Sequence, residues 1–283
     1  MRFATRSTFT TVLLSSVVIL LFCFSSFSTP VNSTTTTPVS AGAKLSKVLS
    51  VSSWGSLNWA GYAINASANS VTQVKGSWIQ PAVICPASGL QAASFWVGID
   101  GLTSLTVEQT GTLALCIGGV ASYSAWYEFY PAYSVNITTM AIHPGDKISA
   151  LVKYSTITSK FTTTIKDLTT GKSFSHTAAV PGAARSSAEW IAEAPSSPSC
   201  PYTLNICPLP NFGSVSFGKD TTLVTGTNTA TISGVTKPLG MFGSEVDSMT
   251  MIDLSSTFVK ALPSAKPSTD GTSFSVTWFA SGP

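Results

Sequence analysis

From Trp54 onward, short runs in which apolar and polar residues alternate recur every ~10 to 14 residues, with Gly, Pro or Asn between them. In "KISALVKYS", Ile148, Ala150, Val152 and Tyr154 fall on one face of an extended chain, while Lys147, Ser149, Lys153 and Ser155 fall mostly on the other. The runs "TQVKGSWIQ", "SFWVGID", "SAWYEFYP", "KFTTTIKDL", "AEWIAEA", "SVSFG" and "SFSVTWFA" are likewise rich in the β-branched and aromatic residues that fit a pleated surface. "TIKDLTTGKSF" reads as a hairpin, with Gly171 able to take a positive φ at its turn. No segment carries a long apolar period of 3.6. The pattern predicts an all-β sandwich. Residues 54–283 form one domain, since neither a linker nor a repeat divides them.

The N-terminus departs from this pattern. Arg2 and Arg6 precede an apolar run from Val12 to Phe27, followed by Ser28 and Ser33, so residues 1–33 read as a secretory signal peptide. The run falls short of the ~20 apolar residues of a membrane span, and an uncleaved N-terminal anchor is the alternative. Residues 34–53 are Thr- and Ser-rich without alternation and read as a leader or short pro-segment. The expected location is extracellular, with no stable membrane partner once the signal is removed. Asn32, Asn65 and Asn136 begin N-x-S/T sequons, which matter only if the source glycosylates exported chains.

Cys23 leaves with the signal. Cys85, Cys116, Cys200 and Cys207 remain, an even number in an exported chain, which implies two disulfides. Of the three pairings that four cysteines allow, Cys85–Cys116 with Cys200–Cys207 is favoured, the second closing a short Pro-containing loop. No CxxC occurs, and the histidines, His143 and His176, sit in turn-like and polar settings, so no metal site and no cofactor are expected.

Charge is scarce, at 10% of residues against a usual ~25%. The formal net charge of +3 falls to +1 without Arg2 and Arg6, and no basic patch is expected to bind nucleic acid or anionic lipid. Few carboxylates can depend on ion pairs, so less stability is lost when they protonate in acid. This scarcity makes "SSAEWIAEAP" conspicuous. On a strand, Glu189, Ile191 and Glu193 share one face, but the two acids stand ~13 Å apart, beyond the spacing of a glycosidase pair. A partner for Glu189 must come from elsewhere in the chain.

Common hydrolase signals are missing: there is no G-x-S-x-G elbow, and His143 in "HPGD" belongs to a turn. What remains is an ordered set of aromatic and polar segments: "NWAGYAI", "GSWIQP", "FWVGIDG", "EQTGT", "WYEFYP", "SAEWIAEAP" and "NFGSVSF". In this order and spacing the chain resembles the glutamic peptidases, or eqolisins, over roughly residues 58–217. The resemblance implies a sandwich of two large antiparallel sheets, concanavalin A-like or jelly-roll-like, with a catalytic dyad on a concave face. It implies Gln109 of "QTG" and Glu189 of "AEW" as that dyad, polypeptide substrates and hydrolysis in acid. Phe129 stands where a Trp is common, and the leader is short for the family's propeptide.

Around the dyad, Trp59 and Trp96 are candidate substrate walls, Asp100 a supporting acid or a turn residue, and Glu193 a supporting acid of the cleft. Tyr127 and Glu128 alternate along one strand, so only one of them can face the cleft; by the same rule Glu108 faces away from Gln109. Trp78 and Trp190 read as core. The rival function is a carbohydrate-binding sandwich without catalysis, whose aromatics would stack on sugar rings; a structural surface protein is a third reading. A monomer that binds no nucleic acid is expected.

Overall fold

The computed structural model describes residues 52–200 and 203–282. The signal, Cys23, Asn32 and nearly all of the leader lie outside the described residues. Extended segments dominate: β1 (Ser52–Ser56), β2 (Trp59–Asn65), β3 (Val71–Ile79), β4 (Leu90–Ile99), β5 (Val107–Ile117), β6 (Val120–Tyr130), β7 (Val135–Ala141), β8 (Lys147–Ser155), β9 (Lys160–Asp167), β10 (Ser173–Ala178) and β11 (Ser187–Glu193). They continue with β12 (Ser214–Gly218), β13 (Thr229–Ile232), β14 (Val235–Pro238), β15 (Val246–Ile252), β16 (Val259–Pro263) and β17 (Ser273–Trp278). Apart from three-residue helical turns, α1 (Lys219–Thr222) is a single turn between β12 and β13. Every alternating run quoted above is a strand, and the β9–β10 hairpin turns with Gly171 at φ 75°.

Hydrogen bonding arranges these strands in two layers. One runs β1, β15, β2, β11, β4, β5, β6, β7, antiparallel throughout except for the parallel pair of β1 with β15. The other runs β16, β17, β12, β3, β8, β9, β10, with the β13–β14 hairpin on the same edge of β3 as β12. β15 pairs with both β2 and β16 and so joins the layers. β1 begins at Ser52, two residues inside the segment read as leader.

The core between the layers takes one face of each. From the first come Tyr62, Phe95, Val97, Ile99 and Trp190; from the second, Val74, Trp78, Ile148, Val152, Ile165 and Phe217. Both tryptophans read as core are there, with their indole N–H groups satisfied: Trp78 donates to the Thr112 hydroxyl at 3.0 Å, and Trp190 to the Lys75 carbonyl at 2.9 Å. Phe217 stacks on Phe274 with ring centres 4.9 Å apart. Buried aromatics of this size each remove some 150–250 Å² from water, which is why a chain so poor in ion pairs can hold two sheets together.

The outer face of the second layer alters one expectation drawn from net charge. Lys75, Lys147, Lys153, Lys160 and Lys166 all point outward there, while nine of the twelve acids in the sequence, Asp167 among them, are buried. Basic charge is therefore concentrated on one surface that a whole-chain sum conceals.

Both favoured disulfides are formed, Cys85–Cys116 with Cα atoms 5.4 Å apart and Cys200–Cys207 with Cα atoms 5.0 Å apart. The first ties the loop after β3 to the end of β5. Closing a loop of 31 residues restricts the unfolded chain by ~3.7 kcal/mol. Replacing Cys85 and Cys116 together by Ser should lower the unfolding free energy by that amount in urea titration; a loss below ~1 kcal/mol would show that the bond contributes little.

Candidate active site

Antiparallel register brings residues from six strands into one transverse row on the exterior face of the first layer. Asp247 of β15 pairs with Ala63 of β2, Ala63 with Glu189 of β11, Glu189 with Gly98 of β4, Gly98 with Gln109 of β5, and Gln109 with Glu128 of β6. Directly paired residues project to the same side of a sheet. Glu189 and Gln109, eighty positions apart in sequence, thus stand two strands apart on one face, roughly 10 Å between backbones, with a residue that has no side chain between them. A Cβ on Gly98 would lie 2.9 Å from the Trp96 ring and 3.3 Å from Gln109 Cβ. Glycine there lets the Trp96 ring lie directly against the backbone between the acid and the amide.

The next row on the same face contains Ile191, Trp96, Gly111 and Trp126, and the one beyond it Trp59, Glu193, Ser94 and Leu113. Trp59 meets Trp96 edge-on, ring centres 4.9 Å apart. Trp96 Nε1 donates to Glu193 Oε2 at 2.7 Å, and Asn58 Nδ2 to Glu193 Oε1 at 3.2 Å. Glu193 therefore anchors the indole that lies against Gly98. The Cys200–Cys207 bond packs into this aromatic cluster.

Asp100 works from the end of β4. With φ at 70° it turns its carboxylate onto the segment that enters β11, accepting the Arg185 N–H at 2.7 Å and the Ser186 N–H at 2.8 Å, with the Ser186 and Thr106 hydroxyls at 3.3 and 3.4 Å. These bonds clamp β11 against β4 three residues before Glu189, so they hold the register that sets Glu189 opposite Gly98. Across the gap, Gln109 Nε2 donates to Glu128 Oε2 at 2.6 Å. That bond orients the amide, leaving its second N–H and its Oε1 directed away from Glu128. Gln109 Oε1, Glu128 Oε1 and both oxygens of Glu189 have no hydrogen-bond partner among the described residues, although all are buried. Uncommitted buried polar atoms are costly in a folded protein and are characteristically retained at working sites.

The Peptidase A4 family model matches residues 57–259. The chain belongs to the peptidase A4 family. It is 36% identical over 160 residues to aspergillopepsin-2 of Aspergillus niger, covering 49% of this chain and 56% of that protein. It is 39% identical over 107 residues to scytalidopepsin B of Scytalidium lignicola, covering 36% and 39%. The matched segments thus span about half or less of these curated relatives. Among solved structures, aspergilloglutamic peptidase from Aspergillus niger aligns at 31% identity and TM-score 0.54, over 67% of this chain and 99% of that one. Scytalidoglutamic peptidase, solved with a peptide-based transition-state analogue, shares the fold at TM-score 0.62 and 24% identity, over 78% and 98% of the two chains. The resemblance read from the motifs is therefore to the family in which the chain is found.

Within this A4 fold, the residues named from sequence separate by face. Gln109, Glu189, Glu128, Trp59, Trp96 and Glu193 gather on the exterior face, and Asp100 braces it. Tyr127 does not join them: it points to the opposite side, stacked on Phe174 and His176 with ring centres 5.5 and 4.6 Å away. Glu108 also faces inward, paired with Ile99 and Phe129 of the core. Asn58, Gly98 and Asp247 gained no role from sequence. The first two lie inside the quoted motifs, but what they do depends on strands that only folding makes adjacent. For Asp247, alternation within "EVDSMTM" was the available signal.

Desolvation dominates the electrostatics. It raises Glu189 well above the usual carboxylate range, and the charges of Asp100 and Glu108 add to the rise; the Ser187 hydroxyl eases it without reaching hydrogen-bonding geometry. Glu128 is raised mainly by burial, against the bond from Gln109. Burial pushes Glu193 up to about 8, with the Trp96 donor opposing, and Glu108 up to about 9, where the charge of Asp100 contributes. In the unfolded chain these groups titrate near ~4.3. Folding then takes up protons as the pH rises above that value, so the stability these four groups allow is complete in acid and is lost progressively between about pH 4.5 and pH 9. The melting temperature should fall across that interval, and Glu108→Gln should flatten the fall while leaving the acid value nearly unchanged. A melting temperature that rises from pH 4 to pH 8 would contradict the assignment.

Proposed function

We propose that the chain is an exported endopeptidase that hydrolyses polypeptides in acid through Gln109 and Glu189. The observation that carries this reading is the row in which these two residues flank Gly98 on one face, with Gln109 Oε1 and both Glu189 oxygens buried and without a partner among the described residues. A peptide carbonyl over Gly98 would lie between them. Glu189, ionised, takes a proton from water as the water oxygen bonds to the carbonyl carbon. The free N–H of Gln109 stabilises the oxyanion that forms, while its Oε1 helps hold the water. On collapse the C–N bond breaks and Glu189 returns the proton to the leaving amine, giving an acid and an amine without a covalent enzyme intermediate. Glu128 keeps the amide of Gln109 in the orientation this requires.

Burial alone would keep Glu189 protonated in acid. A water donating to its carboxylate supplies the hydrogen bond that the protein does not, and such bonds favour the charged form. Loading the cleft therefore prepares the base. An amide partner does not titrate, whereas a His base with a reference pKa of ~6.5 would be protonated under the same conditions. Stacking on sugar rings draws no support from Trp59 and Trp96, which are 1% and 0% exposed.

The test is casein digestion near pH 4 together with kcat on one acid-soluble peptide. Glu189→Gln and Gln109→Ala should each lose ~10²-fold or more in kcat, the scale of removing one oxyanion donor, while Glu108→Gln retains most activity. EDTA should have no effect. A dead but folded Glu108→Gln beside an active Gln109→Ala would refute the dyad, as would inhibition by EDTA that zinc reverses.

A further inference from the structure

On the far side of the molecule from the dyad, the outer face of the second layer is built from lysines and hydroxyls. Lys153 of β8 sits between Gln73 of β3 and Thr162 of β9; Lys166 of β9 sits between Ser149 and Ser173; Lys75 of β3 sits between Thr229 and Leu151. Lys147 and Lys160 flank this array at the strand starts. No aspartate or glutamate shares these rows: Asp167, the acid on these strands, pairs with Ile148 and points into the core side. None of the five lysines is in an ion pair with a described residue. Hydroxyl pairs hold the surface between them, Thr162 with Thr177 and Thr164 with Ser175, each at 2.8 Å. A groove of ≈ 490 Å³ runs through the array, lined in part by Gln73, Lys75, Ser149, Thr164 and Lys166.

We propose that this face binds a carboxylated polysaccharide. Strands ~4.8 Å apart and alternate residues ~6.6 Å apart set the lysines out as separate point charges along the groove, with hydroxyls between them. Charges dispersed along a sugar chain meet such a lattice repeatedly, and the sugar hydroxyls meet Thr, Ser and Gln. Phosphate-rich partners fit less well. The array contains no arginine for bidentate phosphate contact and no aromatic ring on which a base could stack, and its aliphatic side chains, Leu151, Leu168 and Val224, line the groove without forming the amphipathic helix that enters a bilayer. No acid shares these rows to compete with a polyanion for the lysines. The site is separate from the dyad, and binding is measured independently of hydrolysis.

Polygalacturonate is the probe, with its methyl-esterified form, phosphatidylglycerol vesicles and duplex DNA as further arms, all near pH 5 in low salt. The protein should bind polygalacturonate at least tenfold more tightly than any other arm. Raising NaCl from ~0.05 to ~0.3 M should weaken that binding severalfold or more, as expected when charges at an exposed surface are screened. Lys75→Gln/Lys153→Gln/Lys166→Gln should lose at least tenfold in affinity with peptidase activity and circular dichroism unchanged. Equal binding by the triple variant, salt-insensitive binding by the wild type, or tighter binding to vesicles or DNA would overturn the proposal.

Discussion

Strand β4 lies between β11 and β5, and the site depends on the register of those two pairings. Each strand presents alternate residues to the exterior, so a slip of one position on either side would send Glu189 or Gln109 into the core and bring Glu108 or Ala188 outward. Two features secure the register. Inward, Val97, Ile99, Ala188 and Trp190 are committed to the hydrophobic core. At the end of β4, Asp100 binds the backbone entering β11. Glycine at position 98 completes the arrangement, because a larger residue there would collide with the Trp96 ring and crowd Gln109.

The same burial that fixes the geometry sets the chemistry. Glu108, Glu128, Glu189 and Glu193 are all desolvated, and all are held above the ordinary carboxylate range. In neutral solution that arrangement opposes folding; in acid it costs little, since the neutral form is the one present in both states. Two ion pairs are found among the described residues, His143 with Asp146 and Lys219 with Asp270, both at 3.5 Å and both at least partly exposed. Ion pairs this exposed contribute little to stability. A cleft lined with neutral acids and a cationic opposite face both follow from where a small number of charges were placed.

Much of this was legible in the chain itself. Alternation in "KISALVKYS" and "AEWIAEA" identifies strands and their buried sides, and it separates Gln109 from Glu108 and Glu128 from Tyr127 once one member of each pair is placed. The ordered motifs name Gln109 and Glu189. What alternation cannot supply is which strands lie side by side. That Glu189 and Gln109 share a row through Gly98, that Asn58 reaches Glu193, and that Asp247 ends the row are consequences of pairing between segments far apart in sequence. The lysine surface was hidden for a related reason: a net charge of +3 sums over the molecule, whereas binding responds to the local arrangement.

The central claim is that Gln109 and Glu189 act as one unit across Gly98. A double-mutant cycle measures this most directly, using kcat/KM in acid for Gln109→Ala, Glu189→Gln and the two combined. Groups that serve a single step lose most of their effect with the first removal, so the double variant should be no worse than the more damaged single variant, within about threefold. Losses that multiply would mean that the two side chains contribute independently, and would contradict the account.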